Sequence, residues 1–309
     1  MIITVTLNPA VDHTLFVPKF SAGQVNRATT SRMDAGGKGI NVSKALKELG
    51  GESIACGLIA GRHGRSIKEA LNAAAIQYDF VEVPGETRVN IKIIAEDGIH
   101  TDINEPGFDI SEADFERLMD RVCRNTRHDS IVVLSGSVPP NLAMSSYETL
   151  CKKIVEREGV RLIVDSDAKH LQASLSAKPA ILKPNLRELS SYLGYEPQTP
   201  AEVVEGARKL IEGGAQTVAV SMGARGAVMV NASRAVLVTP PRVSAIGPVG
   251  AGDVMVAALA QSLEEGNDFL TTAKYATAAA TASVTIEGTR MASRRKVLAV
   301  FQDTDVQEL

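Results

Sequence analysis

The sequence predicts an α/β fold, a central, mostly parallel sheet with helices on both faces, and three observations predict it. Short runs rich in Ile, Val and Leu alternate with longer stretches whose apolar residues recur at helical spacing. That alternation is the pattern of a parallel sheet whose crossovers are helices. Turn motifs carrying Gly, Asn, Lys or Asp sit where the short runs end, which is where such folds collect ligands. With 309 residues, 44% hydrophobic and 22% charged, the chain buries a large core, and residues 1–309 are expected to form one domain.

In chain order, strands are predicted over 2–7, 53–58, 130–134, 161–164, 180–183 and 217–220. Helices are predicted over 41–49, 66–75, 111–122, 145–156, 186–193, 201–212, 254–264 and 270–284. Two strand-like stretches, 13–30 and 87–102, break the alternation and are separated by a complete βα unit. They are read either as a small separate sheet, a lid formed by about 12–32 and 87–105, or as edge hairpins of the main sheet. The tail 303–309 is expected to fray.

The formal net charge of −3 and a pI near 6.0 give no long-range field for nucleic acid or an anionic membrane, so neither is expected as a partner. Any phosphate site must then be local. Cys56, Cys123 and Cys151 are far apart and unpaired by spacing, which argues against a disulfide framework or structural zinc and suits a reducing, cytoplasmic location. The opening Met1-Ile2-Ile3-Thr4-Val5-Thr6-Leu7 reads as a buried strand and not as a signal segment, and no apolar run is long enough to span a bilayer.

The most telling motif is Gly247-Pro248-Val249-Gly250-Ala251-Gly252-Asp253, which runs directly into a helical pattern. Glycines at 250 and 252 let the backbone approach a bound group, and the unpaired amides of the helix start attract an anion. Asp253 then stands where it can take a proton from an attacking hydroxyl. Ala35-Gly36-Gly37-Lys38-Gly39-Ile40-Asn41 also opens a helix, but Gly39 after the lysine rules out a Walker A loop; it is either a grip on hydroxyls or phosphate or a surface turn. In Lys183-Pro184-Asn185 with Glu188, the amide and the acid share a helix face. They are read either as magnesium-water ligands or as a capping box. Ser221-Met222-Gly223-Ala224-Arg225-Gly226 is either a close approach for a nucleotide or a plain hairpin turn. Arg88, Asn90 and Lys92 share one strand face, pointing either at the site or at solvent.

Together with Leu7-Asn8-Pro9-Ala10-Val11-Asp12, Thr87-Arg88-Val89-Asn90 and Ser135-Gly136-Ser137-Val138-Pro139-Pro140, these motifs occur in the order found in the phosphofructokinase B family of the ribokinase-like superfamily. The chain resembles that family over essentially its whole length. The resemblance implies an ATP-dependent sugar kinase with a doubly wound central domain and a β lid through which a homodimer forms. It implies Asp253 as catalytic base, with the amides of Gly250, Ala251 and Gly252 as the anion hole. Asp12, Gly37 and Asn41 would hold sugar hydroxyls. Lys38 and Arg88 would read the phosphate already on the sugar, supported by Asn90, Ser137 and Arg27. Asn185 and Glu188 would order Mg2+, and Lys183, Asn185, Ser221, Gly223 and Gly226 would lie along ATP.

Within the family, the Asn-Pro-Ala-x-Asp start, the lysine of Gly-Gly-Lys-Gly and the Thr-Arg-x-Asn-x-Lys strand resemble kinases of phosphorylated ketohexoses. Fructose 1-phosphate is the best-matching acceptor, with tagatose 6-phosphate and fructose 6-phosphate as alternatives. A non-catalytic sugar-phosphate-binding protein is a remote alternative. A dehydrogenase lacks its GxGxxG turn here. Three positions depart from the pattern: Val254 and Pro248 replace hydroxyl residues, and Asp167 brings an extra charge. All three are expected to weaken or retune nucleotide binding.

Overall fold

Residues 1–97, 100–246, 250–286 and 291–309 are described by the computed structural model. In chain order they form β1 (Ile2–Thr6), β2 (Ala10–Val17), β3 (Thr30–Gly36), α1 (Lys38–Glu48), β4 (Ser53–Ala60), α2 (Gly61–Ala73), β5 (Gln77–Val83), β6 (Arg88–Ala95) and β7 (His100–Asn104). There follow α3 (Glu112–Asn125), β8 (Ile131–Ser135), α4 (Met144–Val155), β9 (Arg161–Asp165), α5 (Ala168–Ser174), β10 (Ile181–Leu182), α6 (Leu186–Leu193) and α7 (Pro200–Glu212). The chain continues through β11 (Thr217–Ser221), β12 (Ala227–Asn231), β13 (Ala235–Thr239), α8 (Ala251–Glu265), α9 (Phe269–Val284), α10 (Arg294–Gln302) and β14 (Asp305–Glu308).

The main sheet runs β14-β13-β12-β11-β10-β9-β8-β1-β4-β5. From β5 to β11 every pairing is parallel, and β12, β13 and β14 are added antiparallel. Strands such as β1 and β8 are buried along their whole length, which is why they read in the sequence as short runs rich in Ile and Val and free of charge. Their alternate side chains feed two cores. Ile3, Val5, Val132 and Leu134 pack with α3, α4 and α7 on one face. Ile2, Ile131 and Val133 pack with α1, α8 and α9 on the other. Ten residues of α8 are buried, so it lacks a polar face and runs through the interior.

The strand-like stretches form a second, separate sheet, β3-β2-β6-β7, and not edge hairpins of the first. The chain crosses between the two sheets four times, after β1, β3, β5 and β7. Register gives the small sheet two chemically distinct faces. Asp34, Asp12, Asn90 and Asn104 are cross-strand neighbours on one; Met33, His13, Ile91 and Ile103 are neighbours on the other.

The tail departs from expectation. Instead of fraying, β14 pairs with β13, from Val236 opposite Glu308 to Thr239 opposite Asp305, because β13 leaves an open row of backbone donors and acceptors. Among the described residues, no helix is long and apolar enough to cross a membrane, and the three cysteines are free.

Candidate active site

The parallel strands end on one side of the sheet, and the polar residues that follow them line a cleft of about 1300 Å³. Its walls are the polar face of the small sheet, the turns after β8, β9, β10 and β11, and the start of α8. Most of the predicted site residues line it, including Asp12, Gly37, Lys38, Asn41, Arg88, Asn90 and Ser137 on one side, and Lys183, Asn185, Ser221, Gly223 and Gly226 on the other. Gly250, Ala251, Gly252 and Asp253 stand between. Gly247, Pro248 and Val249 lie outside the described residues.

Asp253 sits in the first turn of α8, 6% exposed, behind an N-cap at Gly250 whose φ of 85° suits glycine. The side-chain amide of Asn41, on α1, donates to its Oδ2 at 2.8 Å. Burial first, and the Asp165 carboxylate second, push the Asp253 carboxyl up to about 6, against the opposing pull of Lys38, Asn41 and Lys183. A carboxyl so poised is deprotonated at neutral pH yet basic enough to take a proton from a hydroxyl.

Asp165 was not predicted as a site residue, and it organises the floor of the cleft. It ends β9 fully buried; Lys38 Nζ and Lys183 Nζ each lie 3.2 Å from its Oδ1, and Ser135 donates to its Oδ2 at 3.1 Å. Burial alone would raise this carboxyl, but Lys183 and Lys38 hold it below its ordinary value. Lys38 also lies 4.0 Å from Glu188, and although burial works to lower it, Asp165, Glu188 and Asp253 together hold its ammonium above the usual range. The signal in the sequence was a carboxylate straight after Leu162-Ile163-Val164, in the same post-strand position as Ser135 and Lys183.

On the small sheet, Asp12 accepts from Lys92 at 2.8 Å and from Asn90 at 3.3 Å, so the Arg88, Asn90, Lys92 face looks into the cleft and not at solvent. Arg88 donates to Ser137 Oγ at 2.8 Å and to the carbonyls of Glu105 and Asn8. Lys38 and Arg88, predicted as a pair, thus have separate partners. Arg27 is exposed between β2 and β3 and does not line the cleft.

Asn185 and Glu188 form a capping box on α6: Glu188 N donates to Asn185 Oδ1 at 2.9 Å and Asn185 N to Glu188 Oε2 at 2.8 Å. The capping reading is therefore realised. It leaves Glu188 Oε1 facing Lys38, and burial raises the Glu188 carboxyl. Among the described residues, no group of three or more His, Cys, Asp or Glu gathers around a point. Ser221 N donates to Pro184 O at 3.0 Å, tying this turn to the next. The Gly223–Arg225 turn does connect an antiparallel hairpin, β11 to β12, and it lines the cleft as well. Beyond it, Met255, Ala280 and Val284 give an apolar wall that sequence reading missed, because their spacing on α8 and α9 looks like core.

Two departures have explanations away from the cleft. Val254 is 1% exposed among the apolar residues around α8, so it takes no place beside a phosphate. Asp167 caps α5, accepting from the backbone of Lys169 and His170 at 3.1 Å and pairing with the His170 ring at 2.8 Å. The third, Pro248, lies outside the described residues.

Relatives named 1-phosphofructokinase include one from Rhodobacter capsulatus, 38% identical over 90% of this chain and 88% of its own, and one from Escherichia coli, 34% identical over 98% and 97%. Among solved structures, phosphofructokinase-2 from Escherichia coli in complex with fructose-6-phosphate superposes with a TM-score of 0.90 at 30% identity, covering 97% of this chain and 98% of that one. The family model described as pfkB family carbohydrate kinase matches residues 5–295, a span that holds every residue of the cleft floor. A buried carboxylate at a helix start, paired lysines beside it and the polar face of a second sheet opposite are thus set in a chain that belongs to the pfkB family of carbohydrate kinases.

Proposed function

We propose that the chain transfers the terminal phosphoryl group of ATP to fructose 1-phosphate, forming fructose 1,6-bisphosphate and ADP. The observation that carries the chemistry is Asp253, buried at the start of α8 with its carboxyl pushed up to about 6. It takes the proton of the sugar hydroxyl as that oxygen attacks phosphorus. The Gly250, Ala251 and Gly252 amides and the α8 dipole stabilise charge gathering on the phosphoryl oxygens. The choice of sugar is supported by the relatives' names and full-length similarity.

Asp12, Gly37 and Asn41 orient the sugar, and Arg88, Asn90 and Ser137 receive its standing phosphate. Lys38 is held at the cleft floor beside Asp165, and from there its ammonium can follow the group in transit. Lys183, Asn185, Ser221, Gly223 and Gly226 lie along the nucleotide, whose base meets the wall of Ala280 and Val284. Of Asn185 and Glu188, Asn185 Oδ1 is taken by the cap, so Glu188 Oε1, outside the capping bonds though 4.0 Å from Lys38, would be the one protein ligand, and Mg2+ would take the rest from water and phosphate. When bound there it supplies charge neutralisation to the triphosphate. The exposed Met33 and Ile103 on the outer lid face support a homodimer through that face.

Turnover by coupled ADP release, with MgATP and each of fructose 1-phosphate, fructose 6-phosphate and tagatose 6-phosphate, tests the reading. A kcat/KM at least tenfold higher for fructose 1-phosphate is expected. A preference for a 6-phosphate would replace the substrate, and no turnover with a folded protein would overturn the activity.

A further inference from the structure

Asn8 lies in the turn between β1 and β2, 2% exposed, where the chain first leaves the main sheet for the lid. Both protons of its side-chain amide are committed: Nδ2 donates to Pro106 O at 2.9 Å and to Val138 O at 3.0 Å. Pro106 belongs to the segment returning from the lid after β7, and Val138 follows Ser137 in the turn after β8. The Arg88 guanidinium touches the same two segments one residue earlier in each, donating to Glu105 O at 2.9 Å and to Ser137 Oγ at 2.8 Å. It also donates to the backbone carbonyl of Asn8 at 3.2 Å. Asn8 and Arg88 therefore close a ring through both segments.

The fit around Asn8 is close. A Cβ on Gly107 would stand 2.2 Å from Asn8 Oδ1, and Gly107 has φ +98°, so the lid segment passes Asn8 only as glycine. An aspartate at position 8 has no protons for the two carbonyls, and a longer amide does not fit beside Gly107.

We propose that Asn8 is a positioning residue for the acceptor's phosphate: its amide fixes the two segments that aim Arg88 and Ser137 into the cleft. This deepens the proposed function and rests on its reading of the Arg88 end of the cleft as the sugar-phosphate side.

The test compares wild type, Asn8→Ala, Arg88→Ala and the double variant in steady-state kinetics with MgATP and the best of the three sugar phosphates. Loss of two hydrogen bonds to loop carbonyls is expected to raise KM for the sugar phosphate roughly tenfold, leaving KM for ATP and kcat within about twofold. In the Arg88→Ala background the same change has a clearly smaller effect on that KM, because of the two groups being aimed only Ser137 is left. Equal rises in both KM values, a fall in kcat alone, or additive effects in the double variant would overturn the proposal. Hydrogen exchange supplies a readout free of activity: peptides spanning 104–110 and 136–142 exchange faster in Asn8→Ala, and 217–231 do not. If wild type turns over none of the three sugars, the acceptor reading has failed; unchanged exchange in both segments is the separate result that sinks the strap. Gly107→Ala, which presses on Asn8 from the lid side, gives the same kinetic split should Asn8→Ala not fold.

Discussion

The side-chain amide of Asn41 lies 2.8 Å from the Asp253 carboxylate, joining the first helix of the chain to the eighth across 212 residues. That bond holds the carboxylate at the mouth of a buried helix start, where its ionisation is costly. The chemistry of the cleft turns on that cost.

The pH dependence follows from Asp253. Because its folded pKa is about 6 and the deprotonated form is the base, kcat/KM rises with pH through about 6 and levels above it. Lys38, Lys183 and Asn41 pull the value down and Asp165 pushes it up, so Lys38→Met moves the acidic limb to higher pH. A pH–rate profile flat between 5 and 7 would refute this.

Asp253→Asn should lower kcat by roughly 10³-fold or more with little change in either KM, since the proton acceptor matters only as the hydroxyl attacks. Stability moves the other way. A carboxyl raised on folding contributes stability below its unfolded pKa and loses it as pH rises through about 6, so removing the charge raises Tm at pH 8 by roughly 2–5 °C. Thermal melts at pH 3.5, 5 and 8 should show a gain that is nearly absent at the lowest value and largest at the highest.

Asp165→Asn leaves Lys38 and Lys183 facing each other without their shared carboxylate. The loss is expected to be about 3–5 kcal/mol, as for one partner removed from a buried ion pair, with the acidic limb of the rate profile shifted below 6. Because Asp165 is held below its ordinary pKa, its share of stability is present at neutral pH and fades in acid, so the variant and wild type converge in denaturant melts as pH falls.

Gly226→Ala would place a methyl 1.9 Å from the Val238 carbonyl at φ +87°, in the hairpin that bounds the cleft on the side proposed for the nucleotide. Such a contact forces β12 and β13 apart. A stability loss of at least ~2 kcal/mol and a larger rise in KM for ATP than for the sugar are expected. Equal KM changes would mean that this turn does not serve the nucleotide.

What the sequence revealed depended on how each element is buried. β1 and β8 were legible because burial on both faces favours short, uncharged runs rich in Ile and Val, and Asp253 because two glycines before a helical pattern leave few other uses for the turn. β12 and β13 went unassigned although Ala227-Val228-Met229-Val230 and Ala235-Val236-Leu237-Val238 are apolar, since runs this short have no period that separates a buried strand from a piece of buried helix. β14, with Asp305-Val306-Gln307-Glu308, is held by its backbone and carries no compositional mark. Asp165 and Asn8 are single polar residues whose roles come from partners 127 and 130 positions away, which no local window contains.

Both strand pairs of the lid, together with Asn8, Arg88 and Ser137, lie within the first 138 residues, while Asp253 follows more than a hundred residues later. During synthesis at roughly 5–20 residues per second, this wall of the cleft leaves the ribosome several seconds before the helix that carries Asp253. On the proposed reading, for that interval the nascent chain holds its sugar-phosphate contacts but still lacks the carboxylate that would take the proton.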